Sequence, residues 1–329
     1  MRRALVIGID DYPTAPLSGC VNDALSVASV LRTNGDGSPN FDIKTLTSNE
    51  KPIDIGTLNN ALDSLFDAST DVETALFYFA GHGLINNIGD GHIVAQDGKN
   101  GAWGCSLSDL ITRANQAYPK IKSSVIILDS CHSGSIGEIP AIGSTASSIG
   151  PGVTILTSCH RTQTAQEFDG HGLFTGILIE SLNGSAADIC GRITPASVYA
   201  HVDQILGPWE QRPIYKANVQ SFLTLRQIQP KIPLEILRAL PSYFTSPTEV
   251  FSLDPSYEPD RGNVPEAIQK IPINENNARV FKQLQTCNRY GLIVPVDAEH
   301  MYFAAINSKG CKLTALGAHY RKLAESGRI

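Results

Sequence analysis

The sequence predicts an α/β fold, a mostly parallel sheet flanked by helices, followed by a small second module. Three observations predict it. Short apolar runs recur along the first 225 residues, and stretches with helical periodicity separate them. Strands separated by helices imply a parallel sheet covered on both faces. Eight of the 19 prolines fall between Pro230 and Pro272, which reads as a break between modules. Charge also changes sign: residues 1–265 carry 17 Lys+Arg against 27 Asp+Glu, a balance of −10, whereas residues 266–329 carry 9 against 5, a balance of +4. An acidic body joined to a mildly basic tail implies two modules with different partners.

The elements follow in order. Residues 3–9 (RALVIGI) form an apolar run closed by Gly and Asp, as expected of a buried parallel strand. Residues 18–31 place Val21, Leu25, Ala28 and Leu31 at helical spacing. Residues 41–47 alternate as a strand, and Leu58, Ala61, Leu62 and Leu65 mark a second helix. Residues 75–79 (ALFYF), 125–128 (VIIL) and 153–157 (VTILT) are further buried strands, with a helix expected at 107–114. Helices follow at 173–182 and 195–206, and 219–225 reads as a last strand. The body is therefore expected to span 1–228.

Residues 229–265 read as a Pro-rich extended linker with a short helix at 234–240, because proline lacks a backbone donor and disfavours helix before it. The tail, 266–329, opens with a helix at 277–289 stopped by Gly291. Residues 301–306 and 312–314 read as strands joined by the turn Ser308-Lys309-Gly310, and 315–326 as a second amphipathic helix. Helix, hairpin, helix resembles a winged-helix module.

Composition excludes several classes. The chain has 329 residues, 42% hydrophobic and 18% charged, enough apolar mass for a core. No run reaches the length of a membrane span. Arg2 and Arg3 before ALVIGI imitate a signal start, but Asp10 and Asp11 interrupt it and no small-residue cleavage site follows, so a cytoplasmic location is expected. Seven Cys, an odd number without CxxC spacing, argue against a disulfide framework and a structural zinc site.

Two segments carry chemistry. Tyr78-Phe79-Ala80-Gly81-His82-Gly83 and Asp129-Ser130-Cys131-His132-Ser133-Gly134 each follow a buried strand, where an open α/β sheet places its ligands. A cysteine after one strand end and a histidine after its neighbour can meet. His82 then assists thiolate formation at Cys131 and later protonates the leaving amine. Gly83 admits close backbone approach, and the N–H groups of Gly83 and Cys131 are the expected oxyanion hole. A buried structural Cys and a polar loop His is the usual reading of such residues, but here both sit in Gly-flanked loops at strand ends.

GHG and DSCHSG, with His82 and Cys131 49 positions apart, resemble the catalytic signatures of the caspase-like cysteine peptidases, whose His lies about 50 residues before the Cys. DSCHSG resembles the metacaspase and bacterial orthocaspase branch. RALVIGIDDY, LSGCVNDA (17–24) and GHGLFTGILIESL (170–182) extend the likeness over 1–225. The resemblance implies a caspase-like fold and a cysteine endopeptidase that cuts proteins after Arg or Lys, without a cofactor, in bacterial stress or antiviral defence. It implies an acidic S1 pocket in which Asp23 matches one position and Cys20 lies beside it. The second acidic position is not met: Arg161 and Thr162 stand in that stretch, which leaves Glu167 or Asp169 as substitutes. The serine that many metacaspases carry before GHG is Ala80.

The remaining readings are plainer. His132 is expected to be structural, and Cys105, Cys159 and Cys190 core. His92, His160, His171 and His201 show no metal spacing, so no metal site is assigned. Calcium activates some metacaspases, yet Asp90 and Asp97 alone are too few ligands for a site. No Lys or Arg occurs between Lys122 and Arg161, and no Asp between Asp129 and Asp169. Self-cleavage after the nucleophile strand is therefore expected to be absent, with activity coming from loop rearrangement or from a cut by an upstream activating protease elsewhere, for which Lys231, Arg238 and Arg261 are the candidate sites. The tail is read as a protein-recruiting or autoinhibitory module. Its charge is modest for nucleic acid, and no membrane is involved. The competing reading is an inactive caspase-fold scaffold whose tail is a regulator or DNA-binding element.

Overall fold

The structure, a computed structural model, describes residues 1–85, 91–130, 149–158, 167–168, 171–207, 213–262 and 264–329. The chain divides into two compact units, Met1–Gln229 and Pro230–Ile329.

The first unit begins β1 (Arg2–Gly8), α1 (Cys20–Arg32), β2 (Asp42–Thr47), α2 (Ile55–Leu65) and β3 (Val72–Ala80). Three strands follow, β4 (Gly83–Ile85), β5 (Gly91–Lys99) and β6 (Ala102–Ser106), then α3 (Leu107–Ala117), β7 (Ile121–Asp129) and β8 (Val153–Thr157). The unit continues through β9 (Glu167–Phe168), β10 (His171–Gly172), α4 (Leu173–Glu180), β11 (Arg192–Ile193), α5 (Pro195–Leu206), β12 (Ile214–Ala217) and β13 (Arg226–Gln227). The central sheet has the order β12-β8-β7-β3-β1-β2. Every neighbouring pair is parallel except β12 with β8.

Both faces of this sheet are covered, which is why its inner strands are apolar throughout. Phe77 and Phe79 of β3 join α2 and α3 through Leu58, Leu62, Leu110 and Ile111. Leu76 and Tyr78, on the opposite face, join α1, α4 and α5 through Val27, Leu31, Phe174 and Val198. Local chemistry starts the helices where they are needed. The Asp54 side chain accepts from the Thr57 N–H before α2, and Ser106 accepts from Asp109 before α3. Thr194 and Ser197 form a capping box before α5, with Pro195 in the first turn.

Two expectations for this unit need correction. Residues 219–225 are not a strand: Val219 and Phe222 are exposed, and the last strand of the sheet is β12, antiparallel to β8. As an edge strand covered on one side, β12 lacks the continuous apolar run that marks the inner strands. The small antiparallel sheet β4-β5-β6 was not anticipated, because glycines and a register shift between Val94 and Lys99 break its alternation.

The second unit holds α6 (Leu234–Tyr243), β14 (Val250–Ser252), α7 (Glu266–Gln269), α8 (Glu275–Arg289), β15 (Ile293–Val296), α9 (Met301–Ile306), β16 (Gly310–Leu313) and α10 (Ala315–Glu325). Its antiparallel sheet runs β14-β16-β15. The segment 229–265 is therefore not an extended linker. It supplies α6 and β14, and Leu237, Leu240, Phe244 and Leu253 are buried. Its prolines do not prevent folding: Pro233 lies just before α6, Pro255 starts a single 3₁₀ turn, and α6 accommodates Pro241 within it. Residues 301–306 are the helix α9 rather than a strand, and Met301, Ala304 and Ala305 bury one face at i, i+3, i+4 spacing. The Arg321 guanidinium of α10 donates to the carbonyls of Phe244 and Thr245 and pairs with Glu325, tying α10 to the end of α6.

Candidate active site

β3 and β7 are parallel neighbours, and Ala80 pairs with Asp129 at their carboxyl ends. His82 is two residues beyond the first of these positions. Cys131 is two residues beyond the second in the sequence and lies outside the described residues, as do His132 and the residues on to 148. The last described residue on that side, Ser130, is buried. The Gly81 N–H approaches the Asp129 carbonyl at 3.4 Å.

His82 is held from three sides. Its backbone N–H donates to Tyr12 Oη at 3.0 Å, and that hydroxyl donates to the Val94 carbonyl at 3.0 Å. Its ring packs on Tyr12 with centroids 4.5 Å apart. Its Nε2 lies 2.6 Å from the Ala15 carbonyl oxygen. A carbonyl can only accept, so Nε2 carries a proton, and in the neutral ring the lone pair is then on Nδ1. One backbone oxygen thereby selects the tautomer that can act as a base. Gly81 is required here by space: a Cβ would lie 2.6 Å from Tyr12 Oη. Gly83 opens β4 opposite Ile93.

On the other face of the sheet, a buried polar network lies under the end of β7. Asp23 of α1 is 2% exposed. Its Oδ2 accepts from the Gly172 N–H at 3.0 Å, and its Oδ1 accepts from His171 Nδ1 at 2.6 Å. Burial pushes the Asp23 carboxyl up to about 6, the charge of Asp129 adding to the rise and the bonds from Gly172 and His171 opposing it. Thr175 donates to Asp129 Oδ2 at 2.6 Å, and Tyr78 Oη meets Thr175 Oγ1 at 2.6 Å. Gly172 has no room for a side chain, since a Cβ there would lie 2.4 Å from Asp129 Oδ2 and 3.2 Å from Asp23 Oδ2. Cys20, in the first turn of α1, is buried, and its N–H donates to Asp10 Oδ1 at 2.8 Å.

The structure thus places His82 and Gly83 at the sheet edge and Asp23 with Cys20 on one covering helix. Sequence reasoning missed Tyr12, Ala15, His171, Thr175 and the buried role of Asp129. Tyr78 and Asp129 offered a signal, as polar groups inside apolar strands. The Ala15 carbonyl offered none.

The other sulfurs are quiet. Burial pushes the thiols of Cys105, Cys287 and Cys311 up to about 12, which removes the reactive thiolate at neutral pH. Cys190 is buried too. Cys159, His160, Asp90 and Asp169 lie outside the described residues. Asp97 accepts from the Ile55 N–H at 2.8 Å. Among the described residues no group of three or more His, Cys, Asp or Glu is arranged to hold a metal, and no helix is long and apolar enough to cross a membrane.

Comparison with known proteins agrees with the fold of the first unit. Among solved structures, protein GSU0716 from Geobacter sulfurreducens superposes with a TM-score of 0.51 at 14% identity, over 69% of this chain and 97% of that one. Caspase-1 from Spodoptera frugiperda superposes with a TM-score of 0.51 at 13% identity, over 69% of this chain and 90% of that one. No curated protein matches the sequence. The family model of the caspase domain matches residues 1–224, and the chain belongs to that family of cysteine peptidases.

Proposed function

We propose that the chain is a cysteine endopeptidase of the metacaspase-like branch in which Cys131 is the nucleophile and His82 the acid–base partner. The observation that carries this reading is the Ala15 carbonyl, which holds His82 in the tautomer with a basic Nδ1 at a strand end adjacent to that from which Cys131 follows. The thiolate attacks a peptide carbonyl, and the N–H groups of Gly83 and Cys131 stabilise the oxyanion. His82 protonates the departing amine, and water hydrolyses the thioester. No cofactor enters this sequence of steps.

Cleavage after Arg or Lys rests on Asp23, with Cys20 beside it. A basic P1 residue would share that carboxylate with His171. A fluorogenic Arg or Lys peptide is expected to be hydrolysed by the full chain, with and without calcium, and not by Cys131→Ala. Equal rates from the two proteins would remove the assignment. The active protein is also expected to remain uncut between 132 and 152, where neither a Lys/Arg-specific nor an Asp-specific enzyme has a target. Intact-mass measurement of active enzyme checks this, and a nick in that stretch refutes it.

The second unit is read as winged-helix-like. Support comes from α8 leading into the β15–β16 pair, with β14 added to the same sheet. Its 12 Lys+Arg against 10 Asp+Glu, a balance of only +2, suit a protein-recruiting or autoinhibitory role better than DNA binding. A role in bacterial stress or antiviral defence is the setting such an enzyme fits.

A further inference from the structure

A recess adjoins His82. It encloses about 380 Å³ and is bounded by Pro13, Leu84, Val94 and Trp103, with Asp97 also in its wall. Val94 belongs to the core on the α2–α3 face of the sheet, and Leu84 and Trp103 pack against that core. The α1 helix that carries Asp23 packs on the opposite face. His82 contributes to the wall of the recess.

The chemistry orients a substrate across this arrangement. Sulfur attacks the carbonyl carbon and a C–S bond forms. The tetrahedral oxyanion then collapses, the C–N bond breaks, and the His82 proton passes to the leaving nitrogen, giving a free amine and a thioester. The nitrogen must therefore face His82, and the residue attached to it continues on that side. With P1 directed toward Asp23, the leaving residue is directed toward the recess. Its volume, at the small end of ligand pockets, suits a side chain rather than a long segment. Its wall combines the apolar faces of Pro13, Leu84, Val94 and Trp103 with the polar groups of Thr14 and Gln96 and one fixed carboxylate, since the Ile55 N–H pins Asp97 Oδ1 at 2.8 Å.

We propose that this recess is the subsite for the residue following the scissile bond, and that it selects a large apolar side chain and rejects an acidic one. The inference rests on the peptidase reading above. Its test uses the full chain and internally quenched peptides in which P1 is the residue the wild type cleaves best and P1′ is Gly, Leu, Phe or Glu. Phe or Leu is expected to exceed Gly in kcat/KM by at least about tenfold, as a filled apolar pocket commonly gives, and Glu to fall below Gly. Trp103→Ala should bring the Phe-to-Gly ratio down severalfold. Asp97→Asn, which keeps an oxygen for the Ile55 N–H, should raise cleavage of the Glu peptide severalfold, a gain that misfolding cannot produce. Wild-type cleavage indifferent to P1′, or unchanged ratios in both variants, overturns the subsite and leaves the peptidase reading standing. No cleavage of any peptide by the wild type overturns both.

Discussion

Replacing His82 with alanine is expected to lower kcat/KM on a basic peptide by about a thousandfold, within the range a positioned acid–base group contributes. That corresponds to about 4 kcal/mol of transition-state stabilisation. Two losses combine. An ordinary thiol titrates near 8.5, so without a neighbouring base only a few per cent is thiolate at neutral pH. The leaving amine would also have to depart without a proton. The folded state should change little, because the His82 backbone N–H keeps its bond to Tyr12 and the half-buried ring loses only its packing on Tyr12 and its bond to Ala15. Steady-state kinetics beside a melting curve checks this. A variant that melts like the wild type yet retains more than a tenth of its activity would remove His82 from the mechanism.

Asp23→Ala is expected to produce the largest loss of stability, about 3 kcal/mol, because it leaves the Gly172 N–H and the His171 ring N–H without their acceptor in a buried site. For a unit of this size that is a fall of roughly 6–12 °C in Tm. Asp23→Asn keeps an oxygen for one donor and removes the buried charge, so its behaviour depends on pH. The folded carboxyl of Asp23 titrates near 6, against about 3.9 when unfolded. The folded state therefore binds the proton more tightly. This contribution to stability is full below about 4 and is lost as the pH rises through about 6. The Tm of Asp23→Asn minus that of the wild type should accordingly increase from pH 4 to pH 7, groups other than the neighbouring His171 and Asp129 cancelling in the difference. A difference that shrinks over that window would mean the carboxylate is stabilised, not penalised, by its surroundings. If Asp23 also receives the P1 side chain, the same variant should lose about a hundredfold in cleavage after Arg, on the scale of unpairing a buried charge.

How far the sequence could be read follows the same physics. β1, β3, β7 and β8 were legible because strands buried on both faces are apolar along their length. β12 and β5 were not, since an edge strand and a bulged strand mix apolar and polar residues. Residues 301–306 (MYFAAI) read as a strand because a six-residue apolar run has no decisive period. Packing of Met301, Ala304 and Ala305 into the second unit made them α9. Proline content suggested a linker at 229–265, but Pro233 and Pro255 sit at element boundaries, where proline is tolerated, and packing of α6 holds the helix despite Pro241 within it.

GHG and DSC stood out because a parallel sheet exposes its strand ends, and residues there act without regard to what lies far away in the chain. Sequence alone therefore determined the family, the paired strand ends and the two residue types that chemistry requires. Tertiary structure decided how they are poised. The oxygen that sets the His82 tautomer comes from a backbone carbonyl, which every residue type supplies and no motif records. The partner of Asp23 lies 148 positions away at His171, and only the folding of β10 and α4 against α1 brings the two within hydrogen-bond reach.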